Sequence, residues 1–281
     1  MSIELSNIAH KKFEAEAIQS FQDMAKLRGT TRVRDSKNAN QYQFQVIGKT
    51  TAEERGAIQT DIPLADVTHT PAVATIRRFV IAEMTDIFDD SETSVDERSE
   101  LVESMTMSLG RRLDQIIIDA LGDATLTKTV ASDIATPGTP DNLNVAMFNE
   151  AARLLGSDVP EMNRFLLCHD NGFYHFLLEA DVKDFDINVT KALAMGKLPE
   201  YHGFNIIKVA DRAEGGLPLD GTDRTNYAWQ KSAVGLAMNM NPKIRIDYIP
   251  RKAAWQVSAM MSAGAVVIQP EGVVEITTDE S

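Results

Sequence analysis

Three short stretches carry residue types that could do chemistry. In "IGKT", residues 47–50, a glycine and a lysine follow a strand-like run, as in a phosphate-binding loop. Such a loop needs a glycine five residues before Gly48, where Gln43 stands, and no helical pattern follows. Lys49 therefore reads as a solvated hairpin lysine. In "DFDIN", residues 184–188, the first three ligand positions of a calcium loop are present. Its sixth position is Val189 instead of glycine and its twelfth is Met195 instead of glutamate, so turn and bidentate ligand are both missing. In "CHD", thiol, imidazole and carboxylate stand side by side at Cys168, His169 and Asp170. Strand alternation points Cys168 and His169 to opposite faces, which prevents a dyad, and Asp170 reads as the cap of the helix that follows.

His10, His69, His175 and His202 have no metal-ligand spacing, and no G-x-S-x-G, H-E-x-x-H or G-x-G-x-x-G occurs. Asn188-Val189-Thr190 is a glycosylation sequon that matters only on secretion. The residues support no catalytic site, no metal and no cofactor.

The elements that would position a site are easier to read. Ile8, Phe13, Ala17, Ile18, Phe21, Met24 and Leu27 recur at helical spacing, so residues 3–27 are expected to form an amphipathic helix. "RGTTRVRDSKNANQ" is basic and aperiodic and reads as an extended arm without packing of its own. "YQFQVIG" and "VATIRRFVIAEMTDIF" read as two strands joined by some two dozen polar residues, a connection too long for an ordinary hairpin. Such a protrusion should find its partner outside its own domain.

Ser94 and Glu97 form a capping box for a helix over 94–121. Its buried stripe is expected at Val102, Met105, Leu109, Leu113, Ile116, Ile117 and Ala120, with Gly122 as the stop. At 1.5 Å per residue it is about 40 Å long. "LNVAMFNEAARLLG" is a second helix and "RFLLCHD" a buried strand leading into a third, over 171–178. "GKLPEYHGFNIIKVADR" gives a turn and a strand, "AEGGLPLDGTDRTN" a loop, and "YAWQ" and "SAVGLAMNM" two more short elements.

In "IRIDYI", Ile244, Ile246 and Tyr248 share one face and Arg245 and Asp247 the other, the period of a half-buried strand. "AWQVSAMM" forms its partner across the "PRKA" turn. Ser262, Ala263 and Gly264 make a joint that lets the backbone bend or approach another strand closely. "AVVI", the turn "QPEG" and "VVEI" follow, and the acidic tail "TTDES" is expected to fray. No internal repeat appears. The class is α+β.

Composition narrows the function. A net charge of −13 argues against a general nucleic-acid-gripping surface, though not against enclosing nucleic acid without holding it. A single cysteine excludes an intrachain disulfide and fits a reducing compartment. There is no signal-peptide h-region, and no apolar run is long enough to span a membrane.

The order of parts, from basic arm through long protrusion, capped helix and mixed middle to terminal sheet, resembles the major capsid protein of tailed bacteriophages, the Hong Kong 97-like fold. The resemblance covers nearly the whole chain. It rests on the hairpin over 42–81 running into the helix over 94–121, and on the closing "AWQVSAMMSAGAVVIQPEGVVEI". It implies an N-terminal arm (1–40), an extended loop (41–80) and a peripheral domain with its spine helix (81–124). An axial domain (125–240), a peripheral hairpin (241–262) and closing axial strands with the tail (263–281) complete it.

The implied function is a structural wall: an icosahedral shell of hexamers and pentamers around double-stranded DNA, a virion capsid assembled in the host cytoplasm. The implied partners are other copies, a portal, a decoration protein, and DNA bound without sequence specificity. Some members carry a scaffolding segment before the arm. This chain begins almost at the arm, which implies a separate scaffolding protein. Some members crosslink a loop lysine to a neighbour's asparagine; Lys49 could stand there, but no asparagine or helper glutamate matches it, so an ion-paired or solvated Lys49 is expected. Subunit contacts are expected at Lys49, Glu53, Glu54 and Arg55 in the loop, at Arg28, Arg32 and Arg34 in the arm, and at Arg77 and Arg78. Two alternatives remain: an encapsulin-type shell enclosing enzymes, which shares the fold, and an α+β enzyme or binding module, which would need a convergent polar pocket.

Overall fold

Strands outnumber helices among the described elements. The computed structural model describes residues 25–36, 39–52, 54, 67–87, 97–126, 128–179 and 200–280. In chain order the first strands are β1 (Arg32–Asp35), β2 (Gln41–Ile47), β3 (His69–Thr75) and β4 (Arg77–Asp86), followed by the long helix α1 (Glu97–Gly122). Then come β5 (Thr129–Val130), α2 (Val145–Leu155), β6 (Arg164–His169), α3 (Asp170–Leu178), β7 (Glu200–Tyr201) and β8 (Phe204–Val209). The chain closes with β9 (Leu219–Asp220), β10 (Asp223–Gln230), β11 (Val234–Ile249), β12 (Ala254–Val267) and β13 (Val273–Asp279). The strands form a four-stranded sheet in the order β1-β11-β12-β4, a seven-stranded sheet built on β5-β13-β10-β6-β8-β7 with β9 beside β10, and a two-stranded ribbon of β2 and β3.

The chain divides into two compact units. One holds the described parts of 78–111 and 240–262, and the other 25–77, 112–239 and 263–280. In the first, Tyr248 and Trp255 pack with ring centres 5.2 Å apart and planes tilted by 53° across the β11–β12 turn, and the Ile87 N–H donates to Ala253 O at 3.2 Å. Met105 and Leu109 of α1 are buried there, each 4% exposed. Leu109→Ala should therefore cost about 2–5 kcal/mol, transfer plus cavity, read as a lower urea midpoint.

The second unit has its core between the seven-stranded sheet and two helices. Met147, Phe148, Ala151 and Leu155 form the apolar stripe of α2 and meet Phe173 and Phe176 of α3 over Leu166, Ala228, Val274 and Ile276 of the sheet. The helix starts where the Asn144 side chain accepts the Met147 N–H at 3.0 Å. It ends at Gly156, whose φ of 67° suits glycine.

Several elements differ from the sequence expectation. The second strand of the long connection begins at His69, and the run breaks at Ile76, so β3 and β4 belong to different sheets. The basic arm contains a packed strand: β1 pairs in parallel with β11, Arg32 opposite Gly235 to Asp35 opposite Met238. Its side chains are mostly exposed, so the ladder leaves no hydrophobic period to read. Strand β10 starts at Asp223, inside the expected loop. Strand β11 runs unbroken through Pro242, which lies beyond the last residue paired to β1, where a missing N–H costs no ladder bond on that side.

Strand β12 likewise passes straight through Gly264. A Cβ there would sit 2.1 Å from Thr75 O, so the glycine serves close approach and not a bend. Helix α1 includes Gly122, and its buried face takes in Asp114, Ile118 and Leu121, while Val102, Ile116 and Ala120 are only half-buried. Asp170 is the first residue of α3 and not its cap; His169 takes the cap position without a side-chain bond. The tail does not fray within the described residues: β13 pairs as far as Asp279, opposite Asp223, and Thr278 is fully buried. The expected helix over 3–27 (apart from its last residues), Ser94 and "DFDIN" lie outside the described residues.

Candidate assembly surfaces

The β2–β3 ribbon follows from the alternation in "YQFQVI". Tyr42, Phe44 and Val46 fall on one face and pack with Ala72, Ala74, Ala237, Val266 and Ile268. Phe44 lies against Gly235, where a Cβ would come within 2.7 Å of its ring, so glycine makes the seat. The register runs from Gln41 opposite Thr75 to Ile47 opposite His69, and the Gly48 N–H donates to Thr68 O at 2.8 Å. The ribbon is thus rooted on a small apolar cluster, and residues 48–68 connect its two strands in the chain.

At the ribbon's root lies a cavity of about 430 Å³, lined by Val46, Ile47, Pro71, Val159, Ile268 and Pro270 among others. Lys49 stands at this cavity and reaches Asp158 at 3.2 Å and Glu271 at 3.8 Å. The Asp158 hydrogen bond and charge, then Glu271, raise its pKa. All three side chains are mostly exposed, so this intrachain ion pair is solvated and weak.

The other expected contact residues are spread out. Arg32 and Arg34 project from β1, two residues apart and hence on one face, and both are exposed. Arg28 sits exposed in a single 3-10 turn before β1. Arg77 and Arg78 are exposed at the start of β4, and Glu54 is exposed beyond the ribbon. Glu53 and Arg55 lie outside the described residues. Lys49 is brought together with the carboxylates of Asp158 and Glu271.

Buried charge is where sequence reading missed most. Asp114 on α1 is fully buried and accepts the main-chain N–H groups of Lys26 and Leu27, each at 3.0 Å, and a guanidinium N–H of Arg212 at 3.3 Å. Burial raises its carboxyl above the usual carboxylate range, against the pull of those donors. A raised folded pKa contributes stability that is full below the ordinary aspartate range and is lost as pH rises through the folded value. Asp114→Asn should flatten that part of the stability–pH curve, checked by urea unfolding across the acid range.

In the seven-stranded sheet, Glu280 takes Arg224 Nη2 at 3.0 Å and pairs with His169 Nδ1 at 2.9 Å, all three nearly buried. Asn226 bridges the same layer, donating to Thr278 Oγ1 at 2.8 Å. These networks link distant strands and contain no accessible nucleophile. Cys168 is fully buried and its thiol is pushed up by burial, so it is inert. No cluster of metal-ligating side chains occurs among the described residues, and no helix described is long and apolar enough to cross a membrane.

A family model described as phage capsid protein matches residues 5–280. The capsid structure of the cyanophage P-SCSP1u is similar over 99% of this chain and 95% of its own, with a TM-score of 0.77 at 18% identity. The acid-stable capsid of Helicobacter pylori bacteriophage KHP30 is similar over 99% and 98%, with a TM-score of 0.77 at 12% identity. The head of Helicobacter pylori bacteriophage KHP40 is similar over 100% and 99%, with a TM-score of 0.73 at 14% identity. No curated protein matches the sequence.

Proposed function

Because this chain belongs to the phage capsid protein family and is a structural major capsid protein, we propose that its copies close into an icosahedral shell of hexamers and pentamers around double-stranded DNA. The observation that carries this reading is the β2–β3 ribbon: a two-stranded sheet, with a small apolar root and a long continuation beyond Gly48. A two-stranded ribbon is marginal alone and needs a surface to lie on. The ribbon has that surface in Ala237, Val266 and Ile268 of its own subunit. With residues 41–80 as the extended loop, the part beyond Gly48 reaches a neighbouring copy in the shell.

Lys49, Glu53, Glu54 and Arg55 make loop contacts there, and the exposed Arg28, Arg32, Arg34, Arg77 and Arg78 offer charge to adjoining copies. Residues 1–40 act as the arm, 81–124 and 241–262 as the peripheral domain, and 125–240 with 263–281 as the axial domain. Identical contacts repeated by symmetry let each be weak while the closed shell is stable. A net charge of −13 suits a wall that encloses DNA without gripping it. The chain is wall material and not a catalyst.

A separate scaffolding protein, a portal and a decoration protein complete the assembly in the host cytoplasm. The comparisons lend the enzyme-enclosing alternative no support. The test is sedimentation of the chain co-expressed with its neighbouring gene products. Fast-sedimenting closed particles are the expected result, and a slow monomer under every condition would refute the reading.

A further inference from the structure

One turn of α1 holds two segments of the second unit that are far apart in sequence. The stretch entering β1 comes first. The Lys26 N–H donates to Asp114 Oδ2 at 3.0 Å and Oδ1 at 3.3 Å, and the Leu27 N–H donates to Oδ1 at 3.0 Å. Leu27 is fully buried beside them, and Thr30 O accepts the buried Trp229 Nε1–H at 3.1 Å.

The loop after β8 comes second. Arg212 donates from Nη2 to Asp114 Oδ2 at 3.3 Å and from Nε to Gly215 O at 2.9 Å. The Gly215 N–H donates to Gln115 Oε1 at 2.6 Å, and Arg112 pairs with Glu214 at 3.6 Å. The loop is tightly wound, since a Cβ on Gly216 would sit 2.2 Å from Arg212 O. Lys26 also crosses directly, its ammonium donating to Lys208 O at 2.9 Å.

We propose that Asp114 is a latch that couples the amino-terminal segment to the 210–217 loop, so that displacing either one loosens the other. The carboxylate is the shared element. One oxygen, Oδ2, serves both Lys26 and Arg212, and Oδ1 serves Lys26 and Leu27. A buried anion is stable only while its donors surround it, and the donors of each segment fix the carboxylate's position and keep water away from it for the other. When the amino-terminal amides leave, the carboxylate is no longer held in place and is open to water, so its hold on Arg212 and the loop weakens. When Arg212 leaves, the two amides face an anion without its counter-charge. A neighbouring copy that draws on residues before Lys26 would thereby reach a loop far along the chain. The coupling itself holds in the isolated subunit, so its test is independent of shell assembly.

The experiment is amide hydrogen exchange on the full chain, perturbing the loop and reading the other segment. Arg212→Gln should speed exchange at Lys26 and Leu27 by about tenfold, the order expected for weakening bonds to a charged group. Arg212→Lys, which keeps the cation, should restore most of the protection. Amides of Arg164–His169 report that the sheet remains folded. Should Arg212→Gln unfold the chain, Glu214→Gln loosens the same loop from its exposed side and should speed Lys26 and Leu27 by a smaller factor. Faster exchange in the loop with unchanged exchange at Lys26 and Leu27, in whichever variant folds, would overturn the coupling.

Discussion

Glu280→Ala should destabilise the folded subunit by about 3–5 kcal/mol, the usual result of removing one partner from a buried ion pair. Its carboxylate is 7% exposed and takes two bonds from Arg224, at 3.1 Å from Nε and 3.0 Å from Nη2. The Arg224 side chain is 3% exposed, and its other counter-charge is Asp211, at 3.3 Å and 71% exposed. Truncation leaves a buried guanidinium facing one solvated carboxylate, and it removes the partner of His169 Nδ1. Glu280→Gln keeps a side chain that can still accept from Arg224, so its cost should be clearly smaller. Urea unfolding of the three proteins checks this order. A Glu280→Ala midpoint indistinguishable from the parent would mean that the tail frays after all.

Reversing Glu53 and Glu54 to lysine should suppress assembly while leaving the subunit's thermal unfolding unchanged. Glu54 is exposed, on the continuation beyond the ribbon root. Exposed pairs are worth about 0–1 kcal/mol each, so turning two attractions into repulsions costs about 1–2 kcal/mol per contact. That is roughly tenfold in each contact's equilibrium constant. A shell compounds this penalty over every neighbouring pair, whereas a monomer never meets it. Particle yield by sedimentation and Tm by calorimetry separate the two. Earlier unfolding of the monomer would show that the loop packs on its own domain.

What the sequence made legible was whatever shows as periodicity. The stripe of α1, the helix α2, the buried strand β6 and the alternation of β2 and β12 read correctly in kind, because each has an apolar face to bury. Strand β11 was read as a strand, but Ile246 and Tyr248 of its expected buried face are exposed. Gly264 was read as a place of bending or of close approach, and the structure shows the second, with Thr75 O approaching it. Illegible were elements held by backbone ladders with exposed side chains, of which β1 is the plainest. The boundaries around Pro242 and Ile76 were also hidden, because sheet membership decides them and not local propensity.

The residues proposed for assembly contacts were legible only as charge. Lys49 was expected to be solvated or ion-paired, and its partners, Asp158 and Glu271, come from residues more than a hundred positions away. Asp114, Arg212, Arg224 and Glu280 left no signal, since a charged residue in an apolar run looks the same whether it is solvated or satisfied. Asp114, standing in "RRLDQIII" on the edge of the buried stripe, was the nearest to a clue.

The central claim is that this chain builds a closed shell through contacts of its ribbon and arm. Cryo-electron microscopy of particles purified from cells co-expressing the neighbouring gene products tests it most directly. The account predicts icosahedral particles of hexamers and pentamers, with residues 49–67 of each copy lying across an adjacent one. Closed particles in which those residues fold back on their own copy, or a chain that remains monomeric in every co-expression, would contradict it.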